Sequence, residues 1–401
     1  MQTEAISSVV MGYMPLIDRQ RNAIGMRLRV LAGDAGPMPS ADALYAELSA
    51  GLQVGVPPLL LSIDGDRLDA ALLAAQPDPN IWVEVPAAFA CEPEGAELVA
   101  ALMQAGFKLA LQGRPPVPLA PRILPGFKLA LIDYGTDRRL REPSGAAPQG
   151  QHARAIPYAQ NGVQRIDEME AAFACGAVSC IGWPWDDAMQ QASKRAANPD
   201  LSTISEMLGL IDRGADVADL ERVLRRDASL SYRLLRYINS AAFGLRVEIG
   251  SFRHAMMMLG LQRLKRWLAL LLANSSREVN LRPVMFASFR RGVLLEQLIG
   301  SQDERLRDEV FILGAFSLLD KLFRTPFAQL FETLRVSENV QETLVARSGP
   351  YMPYLRIAED IERGPSAGLE DRLAGSLLSL NQCNQAIVRT LTMPDLSKMA
   401  A

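Results

Sequence analysis

Along the first half of the chain, short apolar runs recur at intervals: Pro57 to Ile63, Ile81 to Val85, Phe107 to Leu111 and Phe127 to Ile132. Each is too short for a helix and lies between turn-forming residues, so each reads as a strand. Ahead of the third run, Leu98, Val99, Leu102 and Met103 share one helical face, with Gly106 placed to stop that helix. Strands alternating with helices predict a parallel α/β sheet or barrel. The segment GFKLAL occurs at 106–111 and again at 126–131. So short an apolar pattern recurs by chance, and we do not read it as an internal repeat.

The stretch Glu142 to Gln151 is rich in Pro, Gly, Ser and Gln and reads as a loop where a crossover helix would be expected. A second break, Lys194 to Ser202, precedes a region whose apolar spacing is helical almost to the end. The predicted division is therefore an α/β domain over 1–195 and an all-α domain over 196–401. In the latter, Asp216 caps a helix with Val217, Leu220, Val223 and Leu224 on one face, and Leu230, Leu234, Leu235 and Ile238 line the next, closed by Asn239 and Gly244. Ser251 caps a third helix, and Leu261, Leu264, Leu268, Leu271 and Leu272 line a fourth. Glu309 to Phe323, Val336 to Arg347 and Glu370 to Leu391 continue the pattern.

Composition narrows the chemistry. With 49% hydrophobic and 22% charged residues, the 401-residue chain carries enough apolar side chain for large cores. The formal charge is −3, divided as −5 over 1–195 and +2 over the rest, which demands no nucleic-acid partner. Four cysteines (Cys91, Cys175, Cys180, Cys383) argue against a disulfide framework, and two histidines (His152, His254) leave little material for an imidazole metal centre. No basic, apolar leader opens the sequence, and the longest apolar runs, such as Leu268 to Ala273, are far short of a membrane span. These features predict a cytoplasmic, reducing location without membrane insertion.

Arg226 to Gly244 (RDASLSYRLLRYINSAAFG) resembles the signature of the HDOD domain, with Asp227, Leu230, Leu234, Leu235, Asn239, Ser240, Ala241, Phe243 and Gly244 matching and Ala228 replacing a proline. The resemblance continues through Ala255, Leu259 and Gly260 and covers roughly 196–391. The first half is similar to a shortened EAL domain. Tyr13 to Leu31 resembles that family's opening, and IWVEVP, GFKLAL, FKLALIDYG, RIDEMEAAFACGA and IGWPW follow in the family's order. The resemblance implies an EAL-HDOD fusion: a truncated, TIM-barrel-like α/β domain followed by an all-α HDOD domain, related to HD-GYP proteins.

Active EAL domains hydrolyse cyclic di-GMP with two metal ions held by inward carboxylates, and the motif positions test for these. The signature glutamate falls at Arg27, the paired aspartates at Gln112 and Gly113, and the late glutamate at Gln160 or Asn161. In a second register LIDYGT matches the paired-aspartate loop, with Ile132 in place of the first aspartate. Glu84 and Asp133 are the surviving carboxylates on strand ends. The simpler reading makes Asp133 a turn cap and Glu84 an exposed strand residue. The adjacent His-Asp pair of HD phosphohydrolases falls at Ser317 and Leu318.

From these substitutions the sequence predicts no enzyme, no cofactor and no metal, but a regulatory adaptor acting through other signalling proteins, with the HDOD motif (Asp227, Leu230, Asn239, Ser240, Phe243, Gly244) serving structure or interaction. The rival reading is a cyclic di-GMP receptor, with Arg27 and Arg29 facing phosphates, Trp183 or Trp185 stacking on guanine, and Glu84 and Asp133 lining the cleft. A third, nucleic-acid binding along Arg222, Arg225, Arg226, Arg233 and Arg236, competes with a solvated helix face. Met256 to Met258 reads as core and its rim.

Overall fold

The computed structural model of the chain describes residues 5–33, 37–51, 57–63, 68–137, 140, 156–189, 199–224, 226, 230, 234, 252–273, 278–333, 336–364 and 368–393. Eight strands close into a barrel in sequence order. They are β1 (Val9–Asp18), β2 (Ala23–Ala32), β3 (Leu59–Ile63), β4 (Ile81–Pro86), β5 (Lys108–Gln112), β6 (Phe127–Asp133), β7 (Tyr158–Asn161) and β8 (Ser179–Ile181). The four runs read from the sequence are β3 to β6. The hairpin β1–β2 pairs antiparallel, from Val9 opposite Ala32 to Ile17 opposite Ala23, and β1 also runs antiparallel to β8; every other pair is parallel.

The expected shortening lies in the connections, since the ring of strands is complete. Helix α1 (Ala41–Gly51) precedes β3, α2 (Ala87–Cys91) and α3 (Pro93–Ala105) join β4 to β5, and α4 (Ile166–Ala174) joins β7 to β8. Between β5 and β6 there is only a 3₁₀ turn, Leu124–Gly126. The predicted stop at Gly106 is a left-handed cap, φ 96°, whose N–H reaches back to Leu102 and Met103. Inside the barrel, Leu16, Leu60, Ala110, Leu129, Leu131, Ala159 and Ile181 form one layer, with Met14 and Trp82 against it.

The described part of the second half is helical: α5 (Pro199–Asp212), α6 (Val217–Leu224), α7 (Phe252–Leu259), α8 (Leu261–Ala273), α9 (Arg282–Ile299), α10 (Glu304–Phe316), α11 (Leu319–Phe323), α12 (Phe327–Thr333), α13 (Glu338–Gln341), α14 (Met352–Arg363), α15 (Gly368–Gly375) and α16 (Leu380–Thr392). Trp267, Phe289, Phe311 and Phe316 are its largest fully buried aromatics. Helices α9 and α10 cross at Gly292 and Gly314; a Cβ on Gly314 would lie 2.6 Å from the Gly292 Cα, so the crossing needs glycine. Met256 is buried while Met257 and Met258 are exposed. Of the arginine strip, Arg222 pairs with Asp219 at 3.0 Å and Arg226 with Glu206 at 3.6 Å; Arg225, Arg233 and Arg236 lie outside the described residues, as do Asp227, Asn239, Ser240, Phe243 and Gly244 of the HDOD motif. Leu230 and Leu234 of that motif are buried.

The helical pattern over Glu370 to Leu391 is carried by two helices, α15 and α16. Ser379 and Gln382 form a reciprocal capping box that starts α16, and Leu377 takes a left-handed φ of 56° in the break. The compact units also depart from a simple division at residue 195: one comprises 1–187 and 356–394, the other 188–355 and 395–401. Helix α16 packs on the first strand, where the Asn384 Nδ2 donates to the Ile6 and Val9 carbonyls, both at 2.6 Å. Among the described residues no helix is long and apolar enough to cross a membrane.

All four cysteines are free. Burial pushes the Cys180 and Cys383 thiols up to about 12. An alkylating agent at pH 8 is expected to modify the half-buried Cys91 and Cys175 in the native protein, and Cys180 and Cys383 only after denaturation, as read by mass spectrometry. Replacing Asn384 with Ala strips two buried carbonyls of their donor and is expected to cost about 1–3 kcal/mol. Thermal melts and hydrogen exchange of the 5–18 segment check this.

Candidate functional site

Parity along the strands decides which side chains share the barrel mouth. Trp82 belongs to the interior, so Glu84, two residues on, points the same way; by the same rule Leu60 places Ser62, Leu131 places Asp133 and Ala159 places Asn161 inside. These positions lie at the C-terminal ends of their strands, the end at which parallel barrels carry their chemistry. The choice between Gln160 and Asn161 is thereby settled. Gln160 donates from Nε2 to the Ile132 carbonyl of the neighbouring strand, while Asn161 faces the mouth.

Arg27 organises this ring. Its Nε donates to Glu84 Oε1 and its Nη2 to Glu84 Oε2, each at 2.7 Å, its Nη1 to Asn161 Oδ1 at 3.0 Å, and its Nη2 to Ser62 Oγ at 3.5 Å. Both partners are buried, Arg27 at 4% and Glu84 at 3% exposure. Glu84 is thus not the exposed strand residue expected; its parity with Trp82 turns it inward, and the cation across the barrel holds it there. Asn161 Nδ2 continues the network to Asp133 Oδ2 at 3.4 Å. Asp133 is exposed, and its Oδ1 accepts from the Gly135 N–H at 2.9 Å, the expected capping role. Arg29 follows Arg27 by two residues on the same face of β2 and is half-buried.

Trp183 stands just beyond β8. Its segment is fixed by Asp187, whose carboxylate accepts from the Ile166 and Asp167 N–H groups at the start of α4, at 2.7 and 3.2 Å, and by the Trp185 N–H, which donates to the Gln164 carbonyl. The Trp183 ring stacks on Trp185 with centroids 5.0 Å apart, meets Tyr13 edge-on at 6.2 Å, and is buried. Its Nε1 donates to the Glu362 carbonyl at 2.9 Å. Sequence reading offered this ring as an open platform; it is enclosed. Ser62 and the 362–364 turn were missed, because a serine and a helix end carry no motif of their own, and Asn161 was named only as a place where a glutamate was expected.

In the helical unit, Ser317, at the position of the His-Asp pair, is buried; its Oγ accepts from Arg291 Nη1 at 2.8 Å and donates to the Gly314 carbonyl at 2.7 Å. Leu318 is buried core. Nearby, Arg266 makes a bidentate pair with Glu296 at 2.9 and 2.5 Å and lies 3.7 Å over the Phe311 ring. Burial raises the Asp308 carboxyl beside it. His254 is exposed, and His152 lies outside the described residues.

Comparison with known proteins accords with this architecture. Residues 201–334 match the HDOD domain. Over 392 residues, 93% of this chain and 89% of the relative, the chain is 25% identical to the cyclic di-GMP phosphodiesterase CdgJ of Vibrio cholerae. It is 28% identical over 142 residues, 35% of each chain, to the uncharacterized protein YuxH of Bacillus subtilis. Among solved structures it is similar to a standalone EAL protein from Vibrio cholerae with cyclic di-GMP bound (18% identity, TM-score 0.31, 44% of this chain and 90% of that one) and to the PaMucR phosphodiesterase with the same ligand (14%, 0.31, 44% and 94%). The chain thus joins an EAL-like barrel to an HDOD domain, and over most of its length it is related to a cyclic di-GMP phosphodiesterase.

The relationship to CdgJ overturns the expectation that the chain is not an enzyme, which rested on motif positions alone. The donor set at the mouth is a separate matter. Among the described residues no three Asp, Glu, His or Cys side chains gather as a metal site, and Glu84 is already held by a guanidinium. The residues present do not fit the pair of ions that active EAL domains use, and no step is derived through such ions.

Changing Arg27 alone to Met leaves Glu84 buried without its cation and is expected to cost about 3–5 kcal/mol, whereas changing both to Met is expected to restore most of that. Thermal melts of the two variants against the parent decide it.

Proposed function

We propose that this chain is a cyclic di-GMP signalling protein that takes the dinucleotide at the mouth of its barrel, and that the HDOD region passes the bound state to other signalling proteins through protein contacts in the cytoplasm. The observation that carries the reading is that one face of β2 brings two arginines, Arg27 and Arg29, to the polar ring at the barrel mouth. Arg27 is neutralised within the ring by Glu84, so it is fixed structure. Arg29, one step further along that face, is half-buried at the rim, where a guanidinium matches a phosphate by two parallel hydrogen bonds. The relationship to CdgJ over most of both chains supports cyclic di-GMP as the phosphate compound.

Arg27 and Arg29 therefore have different roles in this reading, and Trp183 serves as a wall. The helical half supports relay by contact, since its pair of positions at 317 and 318 carries a hydrogen-bonded serine and a core leucine.

Titration calorimetry of the full chain with cyclic di-GMP, with and without magnesium, tests the proposal. Saturable binding is expected, weakened about 10-fold or more by Arg29→Ala through loss of one charge-assisted contact worth about 1.5–3 kcal/mol. Chromatography of the same samples for the linear dinucleotide reports turnover. Absence of heat at saturating ligand sinks the reading.

A further inference from the structure

The turn that follows α14 lies beside two residues of the barrel mouth, Arg29 and Trp183. Helix α14 ends at Arg363, and Gly364 follows with φ 108°, its N–H returning to the Ile361 carbonyl. A Cβ built on Gly364 would lie 3.5 Å from Arg29 Nη1 and 3.5 Å from Met14 Cε, so this turn passes beside the rim arginine with room for little more than a methyl group between them. Two residues earlier, the Glu362 carbonyl takes the Trp183 indole N–H, and both residues are buried. Further along the chain, Asn384 of α16 donates to the carbonyls of Ile6 and Val9. Positions 356–394 are part of the barrel's compact unit, whereas α14 starts at Met352 in the other one.

We infer that the Glu362–Gly364 turn is a built-in plug that competes with a phosphate-bearing ligand for Arg29 and for the space beside Trp183. The narrow space between the turn at 364 and Arg29 Nη1 does not admit a phosphate, so binding there requires the turn to move and the Trp183 to Glu362 hydrogen bond to open. Opening moves the end of a helix that is continuous with the HDOD-containing unit, which gives a route from ligand to output. The competing ligand, cyclic di-GMP, rests on the function proposed above; the plug itself rests only on the contacts just named.

The test uses the full chain labelled with ¹⁵N-tryptophan. Four indole N–H signals are expected, with Trp183 assigned by Trp183→Phe. In the first arm, without ligand, Gly364→Val places a β-branched side chain at a left-handed φ and against Arg29; the Trp183 indole N–H is expected to exchange with water at least about 10-fold faster than in the parent. Unchanged exchange in a folded variant overturns the plug. In the second arm, saturating cyclic di-GMP on the unaltered chain is expected to shift the Trp183 signal and speed its exchange, and Gly364→Val is expected to bind about 5–10-fold more tightly than the parent. Binding that leaves the Trp183 signal unmoved overturns the plug even if Gly364→Val does not fold. Absence of binding in both proteins alongside faster exchange in the first arm sinks the ligand and keeps the plug.

Discussion

A cation buried in a barrel must meet a buried anion, and in this protein that constraint is the pair Arg27 and Glu84. The two residues sit on strands separated in the ring by β3, yet the guanidinium spans the gap and grips both carboxylate oxygens. Desolvating either charge alone costs more than the fold can spare, so the register of β2 and β4 is tied to keeping them together. Ser62 and Asn161 then complete the guanidinium's hydrogen bonds, and Asn161 carries the network on to Asp133. The mouth is consequently a connected polar layer above the apolar layer of Leu60, Ala110, Leu131 and Ile181.

This arrangement separates residue type from role. Of the arginines brought to the mouth by β2, the more deeply buried one is held by Glu84 and Asn161, and its neighbour is half-buried. The same separation applies to the aromatic side: Trp183 offers a large ring, but Tyr13, Trp185 and the Glu362 carbonyl already claim its edge, its face and its N–H. Residue types that look like ligands in a linear reading are, in this fold, largely occupied by one another.

Much of the fold was legible because apolar periodicity survives in it. Strands β3 to β6 and the helix before β5 are visible from spacing alone, since each buries a continuous run. The hairpin β1–β2 carries Arg27, Arg29 and Asp18 among its apolar residues and showed itself only through resemblance to a family opening. Strands β7 and β8 are too short to leave a periodic signal. The site was partly legible: Arg27, Arg29, Glu84 and Asp133 do gather at one end of the barrel, but Glu84 was assigned to solvent because nothing in IWVEVP reveals that a cation waits across the ring. The start of the last helix was written in the capping box Ser379 to Gln382, a signal that a broad reading of leucine spacing passes over.

The barrel's compact unit is discontinuous in sequence, and that has a consequence for its synthesis. The hydrogen bonds from Asn384 to the backbone of Ile6 and Val9 join positions 378 and 375 residues apart. During translation the first strand and its hairpin are made before the helix that packs on them, with the whole helical region made in between. Closing so long a loop carries an entropic cost that grows only slowly with length, so the late docking is affordable thermodynamically, but it sets an order of events. The helical region can begin to organise before the barrel unit is sealed, and a helix made after it completes a unit begun before it.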